Sequence, residues 1–224
     1  RFDGVVAGYD NGKFGAEFGY GRFQDAERSM DHYHWENSAS IESWYGKLTG
    51  HFGESSAVSA FYLKNVQGLD GNSVDPSIKG AHVHAWGAGA TIDLGDSGLN
   101  IDGDFIQTRG NRDLGHANLW TAGLNYGKVD LNKPGSFTLG VHYVRADAGA
   151  YLLGNSALDM TDQLEYGWDN GTGVKFWVAK AGVAVQKNVE LDAYYNFGAK
   201  AFDRYDDSTK DPANTWGVEL NYAF

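Results

Sequence analysis

Cysteine is absent from the chain, and proline occurs only three times in 224 residues. Without thiols, a disulfide scaffold and a cysteine-ligated metal centre are both excluded. No apolar run approaches the roughly 18 residues that a membrane helix needs, and the mean hydropathy is negative. That argues against helical spans but not against spanning strands, which are apolar only at every second residue. Positive charge is also scarce: 18 Lys and Arg stand against 29 Asp and Glu, for a formal net charge of −11. Nucleic-acid binding needs a basic surface, so no nucleic-acid partner is expected. The acidic balance suits a cation-favouring surface or lumen instead. GxSxG, HExxH and phosphate-loop motifs are missing, which argues against an enzyme, and no cofactor is implied.

What the chain does have is 31 Gly, 13 Tyr, 12 Phe and 7 Trp. Glycine permits bends and close strand packing, and aromatics fill a strand face, so the composition predicts an all-β protein. Alternation is clearest in Trp216–Phe224. Trp216, Val218, Leu220, Tyr222 and Phe224 share one parity, and Gly217, Glu219, Asn221 and Ala223 the other. A strand with that pattern has one apolar and one polar face. Similar apolar faces recur along the chain. They are Val5/Ala7/Tyr9, Phe14/Ala16/Phe18/Tyr20 and Trp44/Gly46/Leu48/Gly50/Phe52. Next come Trp86/Ala88/Ala90/Ile92/Leu94, Leu99/Ile101/Gly103/Phe105 and Trp120/Ala122/Leu124/Tyr126. Phe137/Leu139/Val141/Tyr143, Trp177/Ala179/Ala181/Val183/Val185 and Val189/Leu191/Ala193/Tyr195/Phe197 complete the set. Segment 57–64 is strand-like but alternates poorly, leaving its facing undefined. None of the apolar-face positions carries a charge. Lipid contact demands this, because a charge facing mid-bilayer costs roughly 2–4 kcal/mol.

The connections alternate in length. Segments 10–12, 53–56, 95–98, 130–135 and 187–188 are short and turn-like, whereas 24–40, 65–80, 109–117, 147–173 and 201–214 are longer and polar. Tight turns at one rim and long loops at the other are the habit of a membrane barrel. The alternation yields about eleven strands and no break that would divide residues 1–224 into separate domains. Bacterial barrels normally have an even strand number. The odd count therefore predicts the C-terminal portion of an antiparallel up-and-down transmembrane β-barrel of roughly 12–16 strands, with an N-terminal part missing.

The closing strand Trp216–Phe224 and hairpins such as Phe14–Arg22 resemble those of bacterial outer-membrane porins. The run Val5–Phe18 is similar in style to the porin-like barrels that follow S-layer-homology domains in double-membraned Firmicutes. The resemblance covers the whole chain as a pattern, without a diagnostic motif. It implies a Gram-negative-type cell envelope, location in the outer membrane, and passive diffusion of small hydrophilic solutes and ions. It also implies contact with outer-membrane lipids, handling by the barrel assembly machinery through the C-terminal strand, and association as a homotrimer. The cell-wall-binding region of that family has no counterpart in this sequence.

On this reading Trp44, Trp86, Trp120, Trp216, Tyr222 and Phe224 are lipid-facing aromatics. Glu17, Lys47, His51, Asp102, Asp104, His142, Lys180, Glu190, Asp192, Lys200 and Glu219 fall on the opposite face and would line the pore. Charges of both signs at alternating positions suit a lumen whose field is set by ladders of side chains. His82 and His84 share a strand face, and His32 and His34 form a similar pair. Rim histidines beside Tyr33, Trp35 and Trp86 explain them better than a metal site does. Asp75, Asp206, Asp207 and Asp211 read as solvated acidic loop residues. His116 near Asp113, and His51 beside Glu54–Ser56, are weak catalytic pairs, since neighbours on a strand point to opposite faces. Segment 147–173 carries Tyr151, Leu152, Leu153, Leu158, Leu164 and Trp168. It is too apolar for a solvated loop and is expected to fold inward as a constriction or to pack on a neighbouring subunit. A structural or adhesive barrel with a plugged lumen, and a soluble β-sandwich binding module, are the alternatives.

Overall fold

A computed structural model describes residues 2–24, 40–53, 55–66, 82–110, 116–150, 163–164, 166–167, 171–203 and 209–223. Alternation becomes eleven strands: β1 (Phe2–Asp10), β2 (Phe14–Gln24), β3 (Ser40–Phe52), β4 (Ser56–Asn65), β5 (Val83–Asp93), β6 (Leu99–Gly110), β7 (His116–Gly127), β8 (Phe137–Ala146), β9 (Gly173–Gln186), β10 (Val189–Phe202) and β11 (Thr215–Tyr222). They form one antiparallel sheet, hydrogen-bonded in chain order from β1 to β11. Among the described residues that order is open, with β1 and β11 as its edges. Among the described residues, helix is confined to a short 3-10 turn at Gly95–Ser97 and to residues 163–164 and 166–167. No helix among the described residues is long and apolar enough to cross a membrane.

The connections are sorted by length much as the alternation predicts, with one exchange. Strands β6 and β7 extend to Gly110 and from His116, so the connection between them shrinks to 111–115, not 109–117. The connection between β7 and β8 occupies 128–136 and is longer, although it lies on the short-turn side. The β1–β2 turn shows why its neighbours are tight. Asp10 Oδ1 accepts from the Gly12 N–H at 2.7 Å, and Asn11 Oδ1 accepts from the N–H groups of Lys13 and Phe14. Such side-chain-to-backbone bonds stand in for the missing ladder.

The chain divides into two compact units, Arg1–Gly89 with Ile106–Asn118, and Ala90–Phe105 with Leu119–Phe224. In the first, Val5 lies opposite Tyr20, Ala7 opposite Phe18 and Ala16 opposite Leu48, so the apolar faces of β1, β2 and β3 coincide. Register also settles the facing of β4. Gly50 pairs with Val58, Leu48 with Ala60 and Gly46 with Tyr62, which places Val58, Ala60 and Tyr62 on that same face. Phe61 and Leu63 point to the other side, and this blurred the alternation in the sequence. In the second unit, Tyr126 opposes Leu139, Val141 opposes Ala179 and Leu191 opposes Leu220.

Solvent accessibility divides the faces. Large apolar side chains on the coincident faces are exposed, including Val5 (74%), Phe18 (53%), Leu48 (55%), Leu139 (50%) and Trp216 (73%). In the second unit a group of buried residues sits on the opposite face of β8, β9 and β10, toward the long connections: Val144, Ala146, Val174, Phe176, Val178, Ala199 and Ala201. The core therefore lies against one side of the sheet and the aromatic stripe against the other.

Candidate functional site: the polar face of the sheet

In the first unit Glu17 lies directly opposite Lys47, and the Tyr45 hydroxyl donates to Glu17 Oε1 at 2.7 Å. His51 shares the face of Lys47, and its Nε2 stands 3.1 Å from Asp10 Oδ2. At the β1–β2 turn, the Gly12 N–H, and to a lesser degree the His51 ring, hold the Asp10 carboxyl below its ordinary range.

The second unit carries the denser cluster. Asp102 and Asp104 alternate on β6, and Thr121, Gly123 and Asn125 alternate on β7. Asn125 Nδ2 donates to Asn100 Oδ1 at 2.9 Å and to Asp102 Oδ1 at 2.5 Å. Asn125 Oδ1 lies 2.9 Å from His142 Nε2, while His142 Nδ1 stands 3.5 Å from Asp102 Oδ2. The Asp104 N–H donates to Thr121 Oγ1 at 3.2 Å. Further along the face, Lys180 lies opposite Tyr194, Asp192 opposite Glu219, and Asn221 Nδ2 donates to Asp192 Oδ2 at 2.8 Å. Asp102, Asp104, Glu190, Asp192 and Glu219 thus give this face a negative field, offset by Lys180.

Gly123 makes room for the Asp102–His142 contact. A Cβ there would stand 2.6 Å from His142 Nδ1 and 2.9 Å from Asp102 Oδ1. Gly123→Ala is expected to part the pair and to lower stability by about 1–3 kcal/mol, the usual range for overpacking. A urea midpoint in detergent matching that of the parent would refute this.

Register places Glu17, Lys47, His51, His142, Lys180, Glu190, Asp192 and Glu219 on the polar face of their strands, and contacts with Thr121, Asn125 and His142 place Asp102 and Asp104 there too, ten of the eleven predicted pore residues. Lys200 is the exception and corrects the sequence reading. A β-bulge between Phe197 and Lys200, with Gly198 at φ +62°, sets two residues against one. Beyond a bulge the parity reverses. Lys200 pairs with Lys175, two residues from Trp177, and so joins the aromatic face. Of the predicted lipid-facing aromatics, Trp86, Trp120, Trp216 and Tyr222 are exposed, Trp44 is half-buried between Phe18 and Tyr62, and Phe224 lies outside the described residues.

Among the described residues no group of three or more His, Asp or Glu side chains is placed to hold a metal ion. The His84 ring packs on Tyr62 at 6.0 Å, which places it in the aromatic row. His32, His34, Asp75, Asp113, Asp206 and Asp207 lie outside the described residues. So does most of segment 147–173, but its described part packs against the polar face. Gln163 and Leu164 are buried, and Gln163 Nε2 donates to the Ala213 carbonyl at 2.8 Å. The position of a Gly167 Cβ falls 3.0 Å from Val174 Cγ1.

The sequence reading overlooked Asn100, Thr121 and Asn125, although their parity, opposite to Leu99, Trp120 and Leu124, was the available signal. Both ring nitrogens of His142 face oxygen atoms, Asn125 Oδ1 and Asp102 Oδ2, so its ring is held by neighbours on two strands. The chain matches no protein-family model and no curated protein.

Proposed function

We propose that the chain forms a bacterial outer-membrane β-barrel porin through which small hydrophilic solutes and ions diffuse, with a mild preference for cations. One observation carries the reading: large apolar side chains of consecutive strands stand exposed on one face, while charged and amide side chains occupy the other. A soluble monomer rarely exposes an apolar patch beyond several hundred Å². Lipid covers such a stripe, and an aqueous lumen receives the polar face. The edges β1 and β11 carry unpaired backbone groups that a bilayer does not tolerate. A closed barrel of roughly 12–16 strands satisfies them. Outer-membrane lipids, the barrel assembly machinery and a homotrimeric arrangement complete the proposal.

Single-channel recording in a planar bilayer tests it. Stable conductance steps are expected, with a reversal potential that favours cations under a salt gradient. Replacing Glu190, Asp192 and Glu219 together by their amides is expected to move that potential toward zero, because these carboxylates set the field. An unchanged potential in the triple variant would remove them from the conduction path.

A barrel with a plugged lumen, serving a structural or adhesive role, is the second reading. It is favoured by the zero exposure of Val144, Phe176 and Val178 and by the burial of Gln163 and Leu164. Silence from a folded, inserted protein would select it.

A further inference from the structure

The bulge at Gly198 places a basic side chain on the aromatic face, and two others join it. Arg145 lies directly opposite Lys175, and Lys175 directly opposite Lys200, on three successive strands. Like charges directly opposite one another on a sheet repel. Two carboxylates flank the row: Asp147 stands 3.8 Å from Arg145, and Asp211 stands 3.7 Å from Lys200. Among the described residues no carboxylate forms an ion pair with the central Lys175. The corresponding row of the first unit is built differently: Asp3 opposes Arg22 and Arg22 opposes Glu42, so its charges alternate in sign.

What lies beside the row is equally specific. Tyr143, Trp177 and Phe197 occupy the next level of the same face, with Tyr143 and Trp177 in ring contact at 4.9 Å. The Arg145 guanidinium rests 4.4 Å from the centre of the Phe202 ring, which keeps it on this face. Cations one step beyond an aromatic belt, at the strand ends that carry the longer connections, match the level of lipid phosphates. Strands are roughly 4.8 Å apart, so three cations span about 10 Å and can converge on one phosphate group.

We propose that Arg145, Lys175 and Lys200 form a docking site for the anionic, phosphate-bearing headgroup of a membrane lipid, whose acyl chains lie along the apolar stripe below. The proposal rests on the reading of that stripe as lipid-facing. The headgroup supplies the counter-charge that the described residues do not give Lys175 and relieves the repulsion along the row. A lipid is favoured over free phosphate because the row continues without a break into exposed aromatic surface.

Tryptophan quenching by brominated lipids tests this on the full chain, folded into phosphatidylcholine vesicles. Brominated phosphatidic acid is expected to bind about tenfold more tightly than brominated phosphatidylcholine. The variant R145Q/K175Q/K200Q should lose that preference. The charge-conserving variant R145K/K175R/K200R should retain it, and circular dichroism checks that both variants fold. Equal quenching by the two lipids, or the same preference in the glutamine variant, overturns the proposal. Abolition of the preference by millimolar inorganic phosphate would assign the site to the free anion and overturn the lipid assignment. Absence of quenching by either lipid would overturn the lipid-facing reading itself, and the docking site with it.

Discussion

Arginine in place of Val141 is expected to cost about 2–4 kcal/mol and to prevent stable insertion into phosphatidylcholine vesicles. Val141 is 38% exposed and lies between Leu124 and Ala179 on the aromatic face, away from both strand ends. At that position a guanidinium has no carboxylate opposite it and a long path to the interface. The matched control is Thr138→Arg on the same strand. Thr138 lies opposite Gly182, on the face of the carboxylates, where a new cation meets water and negative charge. Folding is read from the shift in mobility between boiled and unboiled samples, and stability from urea titration of inserted protein. Full insertion of the Val141 variant, or equal loss in both variants, would contradict the assignment of faces. If the sheet were instead part of a soluble sandwich, the parent chain would refold from urea without detergent, its apolar stripe buried against a second sheet.

Gly127→Ala is expected to be the most damaging of the small substitutions. Gly127 has φ +78°, and a Cβ there would lie 2.4 Å from the Phe137 carbonyl oxygen. Its N–H donates to the Gly98 carbonyl at 2.8 Å, so the backbone is fixed on that side. A left-handed conformation costs a non-glycine residue about 1–2 kcal/mol. The clash adds about 1–3 kcal/mol, because its partner is backbone and cannot turn aside. Gly12→Ala isolates the first contribution. Gly12 has φ +79° with open space where its Cβ would stand. The Gly127 variant should therefore unfold at clearly lower urea than the Gly12 variant. Equal midpoints would mean that the β7–β8 turn yields to relieve the contact.

The odd strand count and most of the long connections were legible because each rests on a local pattern. A strand's two faces differ by parity alone, so Trp216, Val218 and Leu220 declare their side without reference to neighbours. Segment 57–64 was not legible. Phe61 and Leu63 are apolar on the polar face, and only pairing with Leu48 and Gly46 gives β4 its orientation. The length of the β6–β7 connection was missed for a related reason. Arg109, Gly110, His116 and Ala117 look like loop residues, yet they lie within β6 and β7, where Gln107 donates to Asn118 at 2.8 Å and the Thr108 hydroxyl donates to the Ala117 carbonyl at 3.3 Å.

The sequence by itself determined the secondary structure and the division into an apolar and a polar face, because period-two alternation is written residue by residue. It also assigned most of the charged side chains to a face. Tertiary structure alone decided which of them meet. Asp102, Asn125 and His142 come from three strands, and their contact depends on register, which no single strand encodes. The bulge at Gly198 depends on it too: one extra residue reverses the parity of everything after it on β10. That reversal carries Lys200 out of the predicted lumen and completes a basic row on the opposite face.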